Sequence, residues 1–466
     1  MSPWHLRLTH ALVVLLVGAG CARARADSRD DSVFGAAPSE PVLPSAAPDA
    51  PTTRAPPRPA VPASRRPDAT PPAMTTAPEQ DPPHPDPERL QLGGLLLLRF
   101  GASLSDGGPE DQRLSMPNVL DLYLDARPND RLRAFARGRL LYDPTLDETS
   151  AVAQATGQRQ TRAQLNELWL KLDLARRLFL TIGQQRLLWG ATRIWNPVDF
   201  VNREYRPVLS PFDARNGVPM VKLHLPLEQL GWNLYAAGVL ERATRLDGAG
   251  VIARGEVVWG TVEAALSGAY RRASDPRVGL DFSAGLWEFD LTGECALRWP
   301  RGEGARPVVQ SAAGLQYALP VFERDLLLLG GEYFFNDEGT RRVDPLELFT
   351  GRRQFFYAGR HYGALFASLP RPGALDAWSF TLSAISNLSD RSVLARLDVS
   401  VLLLTHLTLQ AFVVGHLGRH GELRFGEAAI PAAERAAARA LLQPDEPDEP
   451  IPTQLVELGL WLSLDL

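Results

Sequence analysis

The last eleven residues of the chain, VELGLWLSLDL, alternate strictly between apolar and other side chains. Apolar residues occupy every even position from 456 to 466. The odd positions between them hold Glu457, Gly459, Trp461, Ser463 and Asp465. Period-2 alternation predicts a β-strand with one apolar face, because successive side chains of a strand point to opposite sides. Such a face must lie against either a protein core or lipid.

The same alternation returns along the whole chain from Leu90 onward. It is clear in LQLGGLLLLRF (90–100), NVLDLYLDA (118–126), NELWLKLDL (166–174) and VLARLDVSV (393–401). We count about 18 such segments of roughly 10–14 residues, the length that a tilted strand needs to cross a bilayer. Charged residues recur at the centres of the polar faces, which is unusual for the two packed sheets of a soluble sandwich. The apolar faces are therefore predicted to contact lipid.

The connections between these segments alternate in length. Short links such as RPND, PLEQ, WGT and TH alternate with long ones near 144–162, 189–216, 336–352 and 418–453. Short periplasmic turns and long external loops are typical of outer-membrane barrels. The sequence thus predicts an all-β fold, a transmembrane antiparallel up-and-down β-barrel of about 18 strands (range 16–18). This barrel would span residues 90–466, with both chain ends in the periplasm.

Composition by itself would fit a soluble globular protein, with 45% hydrophobic residues in 466. Transmembrane barrels also have such averages, because alternation hides their apolar residues. The net charge of −5 gives no reason to expect a nucleic-acid partner. The two cysteines, Cys21 and Cys295, form no metal-type pair, and we predict neither a metal site nor a cofactor.

The N-terminal 89 residues divide into two parts. Residues 1–26 have a basic start at Arg7, an apolar run and an ARA sequence that ends at Ala26, which together predict a secretory signal peptide. Lipidation at Cys21 is the alternative to cleavage after Ala26, which we favour. Residues 27–89 are rich in proline and poor in aromatic residues, which predicts a disordered periplasmic spacer of polyproline II character.

The segment RLRAFARGRLLYD (131–143) is the richest candidate site of the barrel wall. If Leu132, Ala134 and Ala136 face lipid, the arginines of this segment point into the lumen, including Arg131. A barrel of ~16–18 strands encloses water, so inward guanidinium groups could bind anionic solutes. The alternative is a structural lattice of ion pairs with inward carboxylates. The candidate lumen residues are Arg99, Asp121, Asp125, Arg133, Arg137, Arg139, Glu167, Lys171 and Asp173.

A second candidate site is the third long connection, which contains IGQQRLLWGATRIWNPVDFVN (182–202). A loop of this length either folds inward and narrows the channel or covers the outside of the barrel. Arginines of the loop, Arg203 and Arg206 among them, would add positive charge. The candidate constriction residues are Gly183, Gln185, Trp189, Gly190, Arg193, Trp195, Asn196, Pro197 and Asp199.

Together these features resemble Gram-negative outer-membrane porins, and the loop is similar to a GxQxxxWG…NPxD motif of an uncharacterised family of large barrels. The resemblance implies an outer-membrane channel for small polar or anionic solutes. It also implies recognition of strand 456–466 by the barrel-assembly machinery, although porins typically end in phenylalanine where this chain has Leu466. Expected partners are outer-membrane lipid, small solutes and a second copy of the chain in a homo-oligomer.

Two other classes of function compete with a channel. They are a barrel enzyme that acts on lipids or peptides, and a non-conducting scaffold. The sequence contains no GxSxG, HExxH or phosphate-loop motif, so we predict no catalytic residues. His416 and His420 are more consistent with solvated histidines than with a metal site, because no third ligand has a suitable spacing.

Overall fold

The computed structural model describes residues 89–149, 158–202, 208, 215–241, 243–245, 248–272, 274–302, 304–321, 325–341, 347–348, 353–442 and 448–466. Eighteen antiparallel strands of 8 to 16 residues form a single closed barrel. Their bounds are β1 Leu90–Ser105, β2 Asn118–Asn129, β3 Leu132–Tyr142, β4 Thr161–Leu174, β5 Leu178–Gln185, β6 Val218–Leu227, β7 Trp232–Val239, β8 Gly250–Trp259, β9 Val262–Arg271, β10 Ser274–Leu286, β11 Phe289–Arg298, β12 Val308–Val321, β13 Asp325–Asn336, β14 His361–Pro370, β15 Trp378–Asn387, β16 Ser392–Leu404, β17 Leu407–Gly418 and β18 Gln454–Asp465. The prediction of an all-β barrel with about 18 strands is confirmed.

The barrel closes where its first strand pairs with its last. Strands β1 and β18 are antiparallel and in register from Leu95 opposite Asp465 to Leu104 opposite Val456. Gly94 and Leu466 extend this seam by exchanging two backbone hydrogen bonds of 3.2 and 2.9 Å. Every other strand pairs with its neighbours in the sequence. The sheet therefore has no free edge, which removes the unpaired backbone groups that lipid cannot satisfy.

The two rims of the barrel differ as the sequence predicted. Turns of a few residues, such as 130–131, 260–261 and 405–406, join the strands at one rim. The other rim carries the long loops together with a few short ones, and we number all the loops of this rim in chain order, from the one after β1 to the one after β17. The third loop is 186–217, the seventh 337–360, the eighth 388–391 and the ninth 419–453. Both ends of the barrel sequence, Leu90 and Asp465, lie at the rim of short turns.

Several shorter elements lie in the connections between the strands. A short strand, Arg113–Ser115, pairs with β1 within the first loop. An α-helix, Arg435–Leu442, lies in the ninth loop, where the sequence favours a helix. Three-residue 3₁₀ turns occur at Pro109–Asp111, Glu228–Leu230, Glu427–Ala429 and Ala432–Glu434. In the described part of the chain, no helix has both the length and the apolar character needed to cross a membrane.

Alternate residues of each strand differ sharply in exposure. On strands β2 and β4, Leu122 and Leu168 are each 52% exposed on the outside of the barrel, whereas the adjacent Asp121 and Glu167 are 2% and 3% exposed. Outward leucines on all sides form an apolar belt, and the charged side chains face the enclosed space. The belt matches a bilayer and the interior matches water, as in other transmembrane barrels.

We expect an arginine on the belt to hinder insertion of the barrel. Leu170→Arg or Leu460→Arg should make the free energy of insertion less favourable by roughly 2–4 kcal/mol for a site near the bilayer midplane. The inserted fraction should fall accordingly. Thr292→Arg and Ser463→Arg are matched controls on the inner face and should insert much better, because their side chains reach water. Heat-modifiable gel mobility measures the inserted fraction. Equal loss on both faces would show that the two faces are wrongly assigned.

Several predictions concern residues outside the described part of the chain. The signal peptide at 1–26, the choice between Cys21 and Ala26, and nearly all of the spacer at 27–89 belong to this group. Arg203 and Arg206 of the third loop do so as well.

Candidate functional site

The third loop folds into the barrel and reaches the far wall. It leaves the wall after Gln185 at the end of β5, yet its tip is bound by Glu332 on β13, eight strands further along. The Glu332 carboxylate accepts hydrogen bonds from the backbone N–H groups of Arg193, Ile194 and Trp195, at 2.9, 3.1 and 2.8 Å. Because these partners lie on well-separated strands, the loop must cross the lumen.

A second buried carboxylate, Glu294 on β11, holds the neighbouring part of the loop. It accepts hydrogen bonds from the backbone N–H groups of Thr192 at 2.8 Å and Val198 at 3.1 Å. The Thr192 hydroxyl and the Asn196 side-chain amide also donate to it, at 2.6 and 3.1 Å. Buried N–H groups must find acceptors, and here two wall carboxylates provide them for one loop segment. Glu294 and Glu332 thus act as two pins for the loop.

Trp195 anchors the tip of the loop in an aromatic cluster. It is fully buried and stacks on Phe334, with ring centroids 5.6 Å apart and planes 9° apart. Tyr362 packs beside it at 5.7 Å. The indole N–H donates to the carbonyl of Phe356, in the seventh loop, at 2.9 Å. The third and seventh loops therefore meet inside the barrel and narrow its passage together.

The base of the third loop is closed by Asp199. Its carboxylate pairs with Arg215 at 3.0 Å and accepts a hydrogen bond from the Asn202 side chain at 2.8 Å. Asn202 in turn donates to the carbonyl of Leu187 at 2.7 Å. Burial raises the pKa of Asp199, and the Arg215 guanidinium opposes that rise. This part of the NPVD sequence therefore ties the outgoing and returning arms of the loop together.

Two glycines of the motif have backbone conformations that other residues rarely adopt. Gly183 has φ +126°, and a Cβ atom there would lie 2.1 Å from the carbonyl oxygen of Leu168. Gly190 has φ +115°, and a Cβ atom would lie 2.5 Å from a carboxylate oxygen of Glu294. Both positions combine positive φ with close packing, which only glycine tolerates. Gly190 in particular lets the loop approach its pin.

The remaining motif residues have different environments. Gln185 and Pro197 are buried, and Trp189 is buried with its ring 5.5 Å from the Arg254 guanidinium. Arg193 is exposed to the lumen, and its guanidinium lies 4.3 Å from the ring of Phe366. Arg193 is therefore the motif side chain that a passing solute can contact.

The predicted arginine wall is present on β3, and its arginines are paired. Arg139 forms a bidentate pair with Asp121 at 2.6 and 2.7 Å. Arg133 forms one with Asp125 at 2.9 Å for both bonds. These fork-like pairs have the geometry of strong charge-assisted hydrogen bonds. The ion pairs that the lattice interpretation requires are therefore present for these two arginines. Arg131 differs from its prediction, because it lies in the exposed turn before β3 and not on the inner wall.

Arg137 is the exception on this wall. One guanidinium nitrogen pairs with Glu167 at 3.1 Å, but Nε and the other terminal nitrogen have no hydrogen-bond partner among the described residues. The group lies 5.3 Å from the ring of Phe135. A buried donor without a partner is costly in a protein. Arg137 is therefore the arginine of this wall whose hydrogen-bond donors are only partly matched.

A β-bulge explains why Glu167 can reach Arg137. Arg137 pairs with Glu167 and Gly138 pairs with Leu165, so Asn166 is the extra residue on β4. Asn166 and Glu167 are both buried although they are adjacent, while Leu165 and Leu168 on either side are exposed. A bulge places two consecutive side chains on one face. Alternation alone does not predict this bulge.

Three other candidate lumen residues lie around this wall. Arg99 is half-buried and donates to the carbonyl of Pro117 at 2.5 Å. The Lys171 amino group lies 4.4 Å from the ring centroid of Phe179. Asp173 accepts a hydrogen bond from the backbone N–H of Arg176 at 2.7 Å, so it caps a turn at the rim of short turns.

The sequence did not single out the charged groups on the rest of the wall. Arg254 on β8 forms a bidentate pair with Asp281 on β10 at 2.6 and 2.9 Å. Arg396 and Asp398 pair on β16 at 2.7 and 2.6 Å. Their inward positions follow from alternation once the register of each strand is known. Buried ion pairs thus surround much of the lumen.

His416 and His420 do not converge on one site, and the interpretation of both as solvated histidines is wrong for His416. His416 is buried, with ring nitrogens 2.6 Å from the Leu423 carbonyl and 3.1 Å from Glu457. His420 is exposed. Within the ranges that the structure describes, no three side chains of the metal-binding types come together.

Glu422 joins the ninth loop to the lumen. Its carboxylate accepts hydrogen bonds from the Phe356 N–H at 2.6 Å, the Tyr362 hydroxyl at 2.5 Å and the Asn387 amide at 2.8 Å. Asp390 of the eighth loop lies next to it and accepts the Glu422 N–H at 2.8 Å. Burial raises the pKa of Glu422 to about 7, and the Asp390 charge adds to that rise. The protonation of Glu422 is therefore coupled to the packing of three loops.

We expect this packing to be firmer at pH 5 than at pH 8. A carboxyl group whose pKa is raised from 4.5 to about 7 stabilises the folded loop fully below pH 4.5 and loses that effect through pH 7. The change is on the order of a few kcal/mol at most. The hydrogen-exchange rates of residues 419–430 should increase more between pH 5 and 8 than the intrinsic exchange rates of unprotected amides do. Glu422→Gln should remove this excess, and an unchanged excess would contradict the assignment.

These contacts define a closed 18-strand barrel with the third loop folded into its lumen. Solved structures with this fold include Acinetobacter baumannii OccAB4, at TM-score 0.52 and 10% identity over 81% of this chain and 98% of that one. A BenF-like porin from Pseudomonas fluorescens Pf-5 has TM-score 0.52 and 11% identity, over 81% and 99% of the chains. Pseudomonas aeruginosa OccK2 (OpdF) in complex with glucuronate has TM-score 0.50 and 12% identity, over 81% and 98%. No protein-family model and no curated protein matches the chain.

Proposed function

We propose that this protein is an outer-membrane channel for passive or weakly selective passage of small polar or anionic solutes. The observation that carries the proposal is a third loop pinned across the lumen of a closed 18-strand barrel. A barrel of this size encloses water, and a loop folded into it narrows the passage. The passage is bordered by Arg193 on the loop, and Arg137 on the wall retains unused donors.

The charge on the inner wall of the barrel supports a modest preference for anions. On the wall of β1 to β4, inward cations outnumber the carboxylates that pair with them, which are Asp121, Asp125 and Glu167. Inward charge sets which ions concentrate in a water-filled pore. The fold is shared with OccK2, which was solved with glucuronate, a small sugar acid. A small carboxylate is therefore the class of solute that we propose for this chain.

Swelling of liposomes that contain the purified barrel tests this proposal. Glucuronate and glucose should both enter, with glucuronate faster in dilute salt, and a large polysaccharide should be excluded. Arg137→Gln should reduce the difference between the two small solutes, and Arg419→Gln, on the exposed ninth loop, is the control. Liposomes that contain folded barrel but never swell would contradict a channel and favour the scaffold or the barrel enzyme.

The expected location follows from the same fold. We propose that residues 1–26 direct export, that residues 27–89 form a spacer in the periplasm, and that strand 456–466 is recognised by the barrel-assembly machinery. The rim of short turns, where the barrel sequence begins and ends, would then face the periplasm. The protein should fractionate with outer membranes and show heat-modifiable mobility. Recovery as a soluble periplasmic protein would contradict this placement.

A further inference from the structure

A basic cleft lies on the outside of the barrel, at the rim of long loops. Its volume is about 350 Å³, and it is lined by Arg341, Arg360, His361, Leu388, Ser389 and Arg391. The orientation of β14 places it outside, because Tyr362 is fully buried toward the lumen whereas Leu365 is 69% exposed on the belt. His361 therefore faces outward, and the cleft opens at the upper edge of the apolar belt. It is separate from the solute passage.

The positive charge of this cleft is largely unpaired. Arg341 and Arg391 are exposed, and neither has an ion-pair partner among the residues described. Arg360 pairs through one terminal nitrogen with Asp337 at 2.8 Å, but its Nε is buried and has no hydrogen-bond partner in the described structure. Arg133 and Arg139 on the inner wall, in contrast, each form a bidentate pair with a carboxylate. A cluster of three guanidinium groups with one paired carboxylate keeps a positive charge that is suited to a phosphate group.

Apolar and aromatic side chains lie directly below the arginines. The Tyr333 hydroxyl contacts His361 Nδ1 at 2.7 Å, and the Phe335 ring lies 5.4 Å from the His361 ring. The Arg360 guanidinium lies 5.8 Å from the ring of Phe335. Leu388, in the eighth loop, is half exposed. Cationic groups above an aromatic and apolar strip match a ligand with an anionic head and an apolar body.

We propose that this cleft binds a phosphorylated lipid of the outer leaflet, with the phosphate on Arg341, Arg360 and Arg391. The placement of the cleft at the leaflet surface rests on the proposed function. A free phosphate would satisfy the guanidinium groups but would leave the exposed Leu388 of the cleft without an apolar partner. A lipid can contact both the arginines and the apolar side chains below them, because its phosphate lies at the membrane surface and its acyl chains extend along the belt. The bound lipid would fix the seventh and eighth loops at this edge.

Retention of diphosphoryl lipid A by the full-length barrel tests the proposal. The refolded protein in neutral dodecyl maltoside micelles is incubated with the lipid and separated by gel filtration, and lipid per barrel is counted by mass spectrometry. The variant Arg341→Gln/Arg360→Gln/Arg391→Gln should bind about tenfold more weakly, because it loses three charge-assisted contacts. Arg113→Gln/Arg159→Gln/Arg245→Gln removes three exposed loop arginines elsewhere and should bind like the wild type. Equal retention by both variants would overturn the proposal.

Further measurements separate loss of the site from loss of the fold and from loss of the channel. Heat-modifiable mobility shows whether the triple variant folds, and Arg391→Gln alone, which removes no ion pair of the described structure, should give an intermediate loss. Inorganic phosphate should not displace lipid A at equal phosphate concentration. Displacement would identify a free anion as the ligand and overturn the lipid proposal.

Conductance of the triple variant should match that of the wild type. A wild-type barrel that retains lipid A without conducting would contradict the proposed channel and leave this site standing.

Discussion

Replacing Arg133, Arg137 and Arg139 together by glutamine is expected to shift the selectivity of the channel from anions toward cations. The change removes three inward positive charges and leaves their three carboxylate partners in place. The sign of the wall then reverses, and inward charge determines which ions concentrate in the pore. The shift should be largest in dilute salt, because salt screens such charges over about 10 Å at 0.1 M.

Reversal potential across a planar bilayer in a KCl gradient measures this change. The matched control is Asp121→Asn/Asp125→Asn/Glu167→Gln, which removes the partner carboxylates and should shift the potential in the opposite direction. Breaking a buried pair can cost 3–5 kcal/mol, so the folded fraction of each variant must be checked by heat-modifiable mobility. If the arginine variant inserts normally and keeps its selectivity, the three arginines are a neutralised structural lattice.

Removing both pins of the third loop is expected to widen the channel. In Glu294→Ala/Glu332→Ala, five backbone N–H groups of residues 192–198 lose their acceptors. An unpaired buried donor costs about 1–3 kcal/mol, so the loop gains by moving its N–H groups into the water of the lumen. Single-channel conductance should rise by about twofold and become noisier, since the constriction is lost.

The control for this variant is Asp398→Ala. Asp398 is also an inward carboxylate, but it bonds Arg396 and Gln410 on its own part of the wall. It should leave the conductance close to that of the wild type. Should the double pin variant insert and conduct as the wild type does, the third loop would not be the element that limits the current.

The barrel could be predicted because its signal is local. Side chains of a strand alternate with a period of two whatever their partners are, so segments such as 118–126 and 166–174 reveal both faces directly. Tight turns and long loops are equally visible in the sequence. Strand count and the order of neighbours then follow, because an up-and-down barrel pairs each strand with the next.

The site was less predictable because its contacts are long-range. Glu332 binds backbone groups more than 130 residues away, and the local sequence around it indicates only that a charge faces inward. The bulge at Asn166 interrupts the alternation and shifts the register between β3 and β4 at the point where Glu167 lies opposite Arg137. Whether an inward arginine is paired depends on such details of register. The GxQxxxWG…NPxD residues were recognisable as a group, but the carboxylates that hold them were not.

The most direct test of the central claim is the conductance of the purified wild-type barrel in a planar bilayer. The structure predicts discrete steps in current and a modest anion preference that weakens as salt increases. The two loop pins and the arginine wall then account for the size and the selectivity of these steps. Barrel that inserts in its heat-modifiable form yet carries no current would contradict a channel with an open passage beside its third loop.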